Sequence, residues 1–496
     1  MTNKYILAID QGTTGSRAFL FHQNGRIAAS AHKEFKQYFP KPGWVEHDAQ
    51  EIWQSCVCVI HEALQKSRIH SHDILAIGIT NQRETVLGWD RKTSKPVGRA
   101  IVWQCRRTAA ICQDKRFKRH ESVIRHKTGL LLDPYFSGTK IKWMLENIPG
   151  LKSKAGKGEI LFGTIDTWLI WKLSGGRTHV TDSTNASRTL LFNIRQLKWD
   201  DDLLKLFDIP RHILAEVKNS GSLFAKTAKN IAGLPEGIPI AAVMGDQQAA
   251  LYGQGCYTAG TLKNTYGTGC FIVLNTGKKL IYSKNGLLST LACDFKGKPV
   301  YAMEGSVFIA GALIQWLRDQ LGIIKTSSQS ETLVKGLNDT YGVYIVPSFV
   351  GLGAPYWKSD VRGLITGLTR GANSRHIVRA SLEAIAYQTK DVFDLMKKES
   401  GQTISDLRVD GGACRNNFLM QFQADILNCP ILRPKTIETT AQGAAHLAGV
   451  TMGLWKTPKT LDQLRQTDQI FKPAMKPDVS RKLYSGWRKA VRQALL

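Results

Sequence analysis

The sequence has few acidic residues and no long apolar run. Its 496 residues include 40 Asp and Glu against 67 Lys and Arg, which gives a formal net charge of +27. No apolar stretch approaches the ~18–20 residues that a membrane-spanning helix needs, so we expect no such helix. The apolar stretch over 5–9 is too short for a signal peptide and is followed by Asp10, which predicts a cytoplasmic protein.

The cysteines do not form a recognisable pattern. There are nine of them, an odd number, scattered along the chain. Cys56 and Cys58 are separated by one residue, and no CxxC pair or histidine cluster accompanies them. This spacing excludes a disulfide scaffold or a zinc site. We expect most cysteines to be buried as small apolar side chains in a reducing compartment.

Two common nucleotide-binding motifs are missing: a GxxxxGK[ST] P-loop and a GxGxxG turn after a strand. The excess of positive charge suggests nucleic acid or an anionic membrane surface as a partner, and it is densest over 115–127. However, the sequence contains no RNP motif, zinc finger or basic zipper. A solvated basic surface is therefore the favoured interpretation, and we expect no nucleic-acid partner.

The pattern that is present alternates strands and helices, and it repeats a feature. Predicted strands over 5–9 and 17–22 flank a turn with the sequence DQGTTG (10–15), and predicted strands over 262–266 and 270–275 flank a second Gly-Thr turn. This repetition predicts a duplicated α/β domain with a ligand cleft between the copies. We place the domains at 1–252 and 253–496, with glycines near residue 253 as a possible hinge.

The two turns suggest phosphate binding. Glycines let the backbone approach an anion closely, and Thr hydroxyls with free N–H groups can surround phosphate oxygens. A single turn of this kind is typical of any tight hairpin, but two copies plus the DGG sequence at 410–412 favour phosphate. Asp10, at the end of the first strand, is a candidate ligand for Mg²⁺.

Two polar stretches follow buried strands and suggest acid–base and polyol chemistry. Asp246 follows a predicted strand over 238–244, and it is either a helix N-cap or a base that accepts a hydroxyl proton during attack on a γ-phosphate. Arg83 and Glu84 suit the hydroxyls of a polyol, with Trp103 and Tyr135 as walls of the pocket. Alternatively, Arg83 and Glu84 form an ordinary surface ion pair.

Longer stretches resemble the FGGY family of carbohydrate kinases. Two segments match its signatures: YFSGTKIKWMLEN at 135–147, and GLITGL at 363–368 followed after seven residues by HIVRASLE at 376–383. Other segments resemble members that phosphorylate glycerol: NQRET (81–85), AIVWQCRRT (100–108), GDQQAA (245–250), NTYGTGC (264–270) and DGGA (410–413). The resemblance covers residues 4–455.

The resemblance implies two actin-like, ribonuclease-H-like α/β domains that close over ATP and glycerol. It implies ATP-dependent phosphorylation of glycerol to sn-glycerol 3-phosphate with release of ADP, with Asp246 as general base and Asp10 on Mg²⁺. The implied substrate pocket consists of Arg83, Glu84, Trp103, Tyr135, Asp246, Gln247 and Phe271. The implied nucleotide residues are Thr13, Thr14, Gly15, Arg17, Thr268, Gly311, Gln315, Gly412 and Asn416.

The chain departs from the family pattern at three places. Gly15 stands where the family often has Ser. The segment 233–237 reads GLPEG, whereas bacterial members typically have a Gly-Gly-x-Arg loop that binds fructose 1,6-bisphosphate, so we predict weak or absent inhibition by that compound. The surface around 475–480 is also changed, so a phosphotransferase-system regulator is not predicted as a partner. The resemblance further implies a homodimer or homotetramer.

Two alternatives to glycerol phosphorylation stay open at this stage. One keeps the fold and changes the substrate to a pentulose, gluconate or another polyol. The other is a nucleotide-dependent switch of the actin-like type that binds nucleic acid through its positive charge. A panel of substrates distinguishes the first alternative, and salt-sensitive binding to nucleic acid distinguishes the second.

Overall fold

The computed structural model describes residues 4–358 and 360–496. Within this part of the chain, the strands in chain order are β1 (Tyr5–Gln11), β2 (Gly15–His22), β3 (Ile27–Glu34), β4 (Glu46–His47), β5 (Ile74–Asn81), β6 (Val86–Asp90), β7 (Ala100–Ile101), β8 (Ile160–Thr164), β9 (Val180–Asp182), β10 (Phe192–Asn193), β11 (Lys198–Trp199), β12 (Glu216–Lys218), β13 (Ala225–Lys226), β14 (Pro239–Gly245), β15 (Leu262–Tyr266), β16 (Cys270–Gly277), β17 (Leu288–Cys293), β18 (Pro299–Val307), β19 (Tyr344–Val346), β20 (Leu364–Thr366), β21 (Leu407–Asp410), β22 (Ile431–Pro434) and β23 (Thr467–Phe471).

The α-helices of the described residues are α1 (Ala49–Ser67), α2 (Ala109–Gln113), α3 (Lys115–Lys118), α4 (Glu121–Thr128), α5 (Ser137–Asn147), α6 (Leu151–Gly156), α7 (Ile165–Leu173), α8 (Ser183–Ala186), α9 (Asp201–Phe207), α10 (Asp246–Gly253), α11 (Gly311–Asp319), α12 (Gln329–Val334), α13 (Ser374–Ser400), α14 (Asn417–Leu427), α15 (Thr439–Thr451), α16 (Pro458–Leu464) and α17 (Pro477–Ala494). Short 3-10 helices cover Ser71–Asp73, Arg211–Ile213 and Gly412–Arg415. No helix among these is long and apolar enough to cross a bilayer.

The chain packs into two compact units. The first contains the chain through Tyr257, together with Ser289–Tyr301 and Thr439–Leu464. The second contains Thr258–Leu288, Ala302–Glu438 and Arg465–Leu496. The division into sequence domains 1–252 and 253–496 stays a prediction. The cysteines are all free thiols and all but Cys58 are buried, as their spacing predicts.

The sheet of the first unit has the strand order β13-β14-β5-β1-β2-β3. β1 is antiparallel to β2 but parallel to β5, and β5 is parallel to β14. The apolar run from Ile6 to Ile9 is buried on both faces of the sheet, which explains its continuous hydrophobicity. In the register, Thr80 of β5 is opposite both Asp10 of β1 and Met244 of β14. The carboxyl ends of these three strands therefore lie at one edge of the sheet.

Two helices of the first unit, α10 and α15, pack against each other through glycines. A Cβ atom on Gly443 would lie 1.9 Å from the carbonyl oxygen of Ala249, and one on Gly253 would lie 2.0 Å from that of Thr439. Only glycine fits such a backbone-to-backbone contact. Gly253, which the sequence suggests as a hinge residue, thus has a packing role inside a helix.

The second unit contains the same combination of a hairpin beside a parallel strand. In its sheet the strands β16, β15, β21, β22 and β23 are neighbours in that order, and β15 is antiparallel to β16 and parallel to β21. Thr265 of β15 is opposite Asp410 of β21, as Asp10 is opposite Thr80 in the first unit. The repeated hairpin predicted from the sequence is therefore present in both units. The long helix α13 packs with α14 and α17, where the rings of Tyr387 and Trp487 stack at 5.5 Å.

Candidate active site

The turn between β1 and β2 follows Asp10, whose side chain is 9% exposed. The amide of Gly12 donates to the carbonyl of Gly15 at 2.9 Å and closes the turn. A Cβ atom on Gly15 would lie 2.8 Å from the carbonyl oxygen of Lys33, so a Ser at this position would require the neighbouring backbone to shift. Gly15 can therefore contact a ligand only through its backbone. The other predicted residues of this segment are at least partly exposed: Thr13, Thr14 and Arg17.

Buried polar side chains form a hydrogen-bond network that contacts this turn. The side-chain amide of Gln82 donates to Gln11 Oε1 at 3.0 Å and to the carbonyl of Gly12 at 3.2 Å. His47 lies 3.3 Å from the same amide through Nδ1 and 2.6 Å from Gln37 Oε1 through Nε2. Burial lowers the pKa of His47 to about 4, so the ring is neutral at physiological pH. The turn therefore rests on neutral, hydrogen-bonded side chains.

The polar residues that follow β5 and β14 come together in the first unit. Arg83 Nε lies 3.2 Å from Asp246 Oδ1 and 3.8 Å from Glu84 Oε1. Arg83 Nη1 also donates to Gln248 Oε1 at 3.3 Å. Arg83 and Glu84 are buried, whereas the side chain of Asp246 is 32% exposed. The interpretation of Arg83 and Glu84 as a surface ion pair is therefore wrong, and Asp246 is the accessible carboxylate of the cluster.

Asp246 is not the N-cap of α10. That position belongs to Gly245, and Asp246 is the first residue of the helix. Its Oδ1 accepts a hydrogen bond from the amide of Gln247 at 2.7 Å, and Thr184 Oγ1 accepts the amide of Gly245 at 2.9 Å. A carboxylate in the first turn of a helix is favoured by the helix dipole. Gln247 follows directly, and its side chain is largely buried.

Two aromatic residues connect the candidate phosphate-binding turn to the cluster of Arg83, Glu84 and Asp246. The rings of Trp103 and Tyr135 meet edge to face, with centroids 5.6 Å apart. The indole N–H of Trp103 donates to Thr13 Oγ1 at 2.9 Å. The structure therefore brings together the residues predicted from the first half of the sequence: the turn, the aromatic walls and the charged cluster.

In the second unit, the hairpin turn after β15 packs against the start of α11. The amide of Gly267 donates to the carbonyl of Gly269 at 2.9 Å, which repeats the closure of the first turn. The amides of Gly311 and Ala312 donate to the carbonyls of Gly267 and Thr268 at 3.0 and 3.1 Å. A Cβ atom on Gly311 would lie 2.5 Å from the Gly267 oxygen. Glycine at 311 is therefore needed for this contact, and Thr268 is exposed beside it.

The turn after β21 contains two glycines with different surroundings. Gly411 has a φ of +85°, and a Cβ atom there would lie 2.4 Å from the carbonyl oxygen of Tyr266. At Gly412, by contrast, a Cβ atom would meet no atom within 4 Å. Packing therefore requires the first glycine, whereas the second leaves open space next to the backbone. Asn416 closes this segment as the N-cap of α14 and donates to Ser330 Oγ at 3.2 Å.

The two remaining predicted residues of the second unit lie on its regular elements. Gln315 is exposed, one helical turn after Gly311 on α11. Phe271 is half-buried on β16, opposite Thr265. Both positions are accessible to a ligand.

Two basic neighbours of Glu84 were not singled out from the sequence. Arg188 Nε donates to Glu84 Oε1 at 2.5 Å. Lys140 Nζ donates to the carbonyl oxygens of Tyr135, at 2.6 Å, and of Glu84, at 3.3 Å. Burial lowers the pKa of Lys140 to about 7. Lys140 lies inside the signature over 135–147 and could have been noticed there. The sequence around Arg188 contains no comparable signal.

Comparison with protein families matches one domain model to each of the two regions that contain a repeated hairpin. The N-terminal domain model of the FGGY family of carbohydrate kinases matches residues 5–253, and the C-terminal domain model of that family matches residues 262–452. The chain belongs to the FGGY family of carbohydrate kinases. The resemblance noted in the sequence and the predicted fold of two actin-like α/β domains are thereby confirmed.

Among FGGY proteins, the chain is similar to several glycerol kinases. It is 56% identical over 492 residues to a glycerol kinase of Caldanaerobacter subterraneus subsp. tengcongensis, with 99% of both chains covered. It is 55% identical over 494 residues to a glycerol kinase of Thermus thermophilus, again with 99% of both covered. The crystal structure of Plasmodium falciparum glycerol kinase with ADP aligns with a TM-score of 0.93 at 38% identity, covering 99% of this chain and 98% of the other.

Proposed function

We propose that this FGGY kinase phosphorylates glycerol with ATP and releases sn-glycerol 3-phosphate and ADP. The observation that carries the proposal is the cluster in which Arg83 lies between Asp246, at 3.2 Å, and Glu84, at 3.8 Å. One accessible carboxylate and one buried carboxylate on either side of a guanidinium suit a small molecule with several hydroxyls. The names of the relatives, which match over nearly their whole length, support glycerol among such molecules.

In the proposed reaction, Asp246 is the general base. Its carboxylate accepts the proton of the attacking hydroxyl while the oxygen forms a bond to the γ-phosphorus. The bond from the γ-phosphorus to its bridging oxygen breaks, and ADP leaves. Arg83 holds Asp246 in place and stabilises its negative charge. Glu84 accepts hydrogen bonds from the hydroxyls that do not react, and the rings of Trp103 and Tyr135 pack against the carbon chain.

Both glycine turns are proposed to bind the nucleotide. In the first turn, Thr13, Thr14 and Arg17 are accessible to phosphate oxygens, and Gly15 offers its backbone. In the second unit, Thr268, Gly311, Gln315 and Asn416 would contact ATP, and the open space at Gly412 leaves room for it. Mg²⁺ in kinases is commonly held by one or two carboxylates together with phosphates and water, and the carboxylate of Asp10 fits this requirement. When bound, Mg²⁺ neutralises phosphate charge.

Other properties implied by the resemblance are part of the proposal. We infer a homodimer or homotetramer. Light scattering would test this by measuring the molar mass in solution. Free thiols at all nine cysteines are what a reducing, cytoplasmic compartment allows.

The proposal is tested by ADP release from Mg²⁺ and ATP, with glycerol and with a panel of pentuloses, gluconate and other polyols. Strong stimulation by glycerol alone supports it, and stimulation by a different compound would assign a different substrate to the same residues.

The variant Asp246→Asn should lose about 10²- to 10⁴-fold in turnover and keep its affinity for ATP. A matched control is Asp294→Asn, because Asp294 is also partly exposed and accepts backbone N–H groups, but belongs to a turn elsewhere. Near-normal turnover of Asp246→Asn would refute the proposal that Asp246 is the general base.

A further inference from the structure

Glu84 is a buried carboxylate held by two arginines. Its side chain is 1% exposed, and its Oε1 atom lies 2.5 Å from Arg188 Nε and 3.8 Å from Arg83 Nε. Of these two arginines, Arg188 lies closer to Glu84. Arg83 is closer to Asp246, at 3.2 Å. Arg188 thus lies against Glu84, while Arg83 lies between Glu84 and Asp246.

The backbone of Glu84 is also fixed in an unusual conformation. Its φ of +60° lies in the left-handed region, which residues other than glycine seldom adopt. The carbonyl oxygen of Glu84 accepts hydrogen bonds from Ser137 Oγ at 2.9 Å and from Lys140 Nζ. These contacts hold the main chain, whereas Arg188 holds the carboxylate.

Arg188 itself is fixed on all sides. Its side chain has no exposed surface, and its guanidinium lies 5.8 Å from the ring centre of Tyr135 and 5.3 Å from that of Phe136. Its amide donates to the carbonyl of Asn185 at 3.0 Å in the segment after α8. A buried arginine packed in this way has little room to change its conformation. It presents a permanent positive charge to Glu84.

We propose that Arg188 is a positioning residue that sets the affinity of the site for polyols. By compensating the charge of Glu84, Arg188 keeps this carboxylate ionised as an acceptor for substrate hydroxyls and leaves Arg83 to orient Asp246. This inference rests on the function proposed above. Without Arg188, Glu84 loses the guanidinium that lies 2.5 Å from its Oε1 atom, so its buried charge is compensated less well or is lost by protonation. In both cases Glu84 is a weaker acceptor for hydroxyls.

The test is the kinetics of Arg188→Met with glycerol and with ATP. Loss of a charged hydrogen-bond partner predicts a KM for glycerol about 10- to 100-fold higher. The KM for ATP should stay within about twofold of the wild-type value, and kcat should fall by less than the KM for glycerol rises. An unchanged KM for glycerol would overturn the proposal.

The pH profile separates charge compensation from a loss of structure. In Arg188→Met, the KM for glycerol should rise further between about pH 8 and about pH 6, because a buried carboxylate that has lost its 2.5 Å counter-charge takes up a proton more readily. Lys140, whose pKa burial lowers to about 7, contacts the backbone of Glu84 and titrates in both proteins, so the wild-type profile is the reference and the additional rise in the variant is the expected result. A KM that is raised equally at every pH would show that Arg188 acts only through packing, and the proposal would fail.

If Arg188→Met does not fold, Arg188→Lys carries the test, since it keeps the positive charge and loses the fork-shaped geometry. A KM for glycerol raised about threefold or more, with kcat largely kept, supports the proposal, and an unchanged KM overturns it.

Arg379→Met is the matched control, because Arg379 forms a buried pair with Glu383 at 2.8 Å in α13 of the other unit. This control should lose stability without a change in the KM for glycerol.

The same experiments separate failure of the inference from failure of the proposed function. If the wild-type enzyme releases ADP in response to glycerol and the Arg188 variants bind glycerol normally, only the role of Arg188 is refuted. If no compound in the panel stimulates the wild-type enzyme, the proposed function fails, and the inference about Arg188 fails with it.

Discussion

The contact between α10 and α15 leaves no room for a side chain on Gly443. A Cβ atom there would lie 1.9 Å from the carbonyl oxygen of Ala249 and 2.9 Å from the amide nitrogen of Gly253. Both are backbone atoms, so rotation of a side chain cannot relieve the clash. In Gly443→Ala the helices must move apart by roughly 1 Å or more, and the packing around them must follow.

Two opposing effects set the magnitude for Gly443→Ala. Alanine stabilises a helix interior by about 1 kcal/mol relative to glycine. Overpacking of a well-filled core costs up to about 3 kcal/mol. We therefore expect a net loss of about 2 kcal/mol, which corresponds to a fall in Tm of roughly 2–3 °C for units of this size. Turnover should fall as well, because α10 begins with Asp246.

Thermal unfolding of the purified variants measures this effect, and Gly156→Ala is the control. Gly156 is also helical, at the end of α6, but a Cβ atom there would meet nothing within 4 Å. Only the helix propensity acts at this site, so Gly156→Ala should be neutral or stabilising by up to about 1 kcal/mol. A Gly443→Ala variant with a Tm equal to or above that of the wild type would refute the argument from close packing.

Three further predictions follow from other sites. Because burial lowers the pKa of His47 to about 4, the unfolded chain takes up a proton that the folded one does not. The free energy of unfolding should therefore fall by about 3 kcal/mol as the pH drops from about 6.5 to about 4, and His47→Asn should flatten this slope in denaturant titrations. Tyr484→Phe removes a hydrogen bond of 2.5 Å to the buried carboxylate of Asp391 and should cost about 1.5–3 kcal/mol in the same assay. Fructose 1,6-bisphosphate below about 1 mM should leave activity unchanged, since the segment 233–237 lacks an arginine; clear inhibition would contradict this.

The sequence alone predicted the elements that have simple hydrophobic patterns. The strand predicted over 238–244 is Pro239–Gly245, and the helix predicted from residue 417 to 427 has those bounds. Both begin or end at polar residues or glycines that local rules recognise. The meeting of Arg83, Glu84 and Asp246 was also predictable, because parallel strands bring their carboxyl ends to one edge of a sheet.

Long-range packing could not be predicted in this way. Arg188 lies 104 positions from Glu84 in the sequence, and no local pattern marks it as the partner of a carboxylate. Similarly, Gly253 looks like a flexible residue in the sequence, and only the position of Thr439 against it explains its role. Such contacts depend on tertiary structure, which propensity and periodicity do not encode.

The hydrogen bond from Trp103 to Thr13 has a consequence for ligand binding. Because the same indole contacts the ring of Tyr135, a molecule that immobilises Trp103 from one side also orders the residues on its other side. The second ligand then loses less conformational entropy on binding. If glycerol and ATP bind on the two sides of this side chain, as proposed, any coupling that it transmits changes the affinity for both by the same factor.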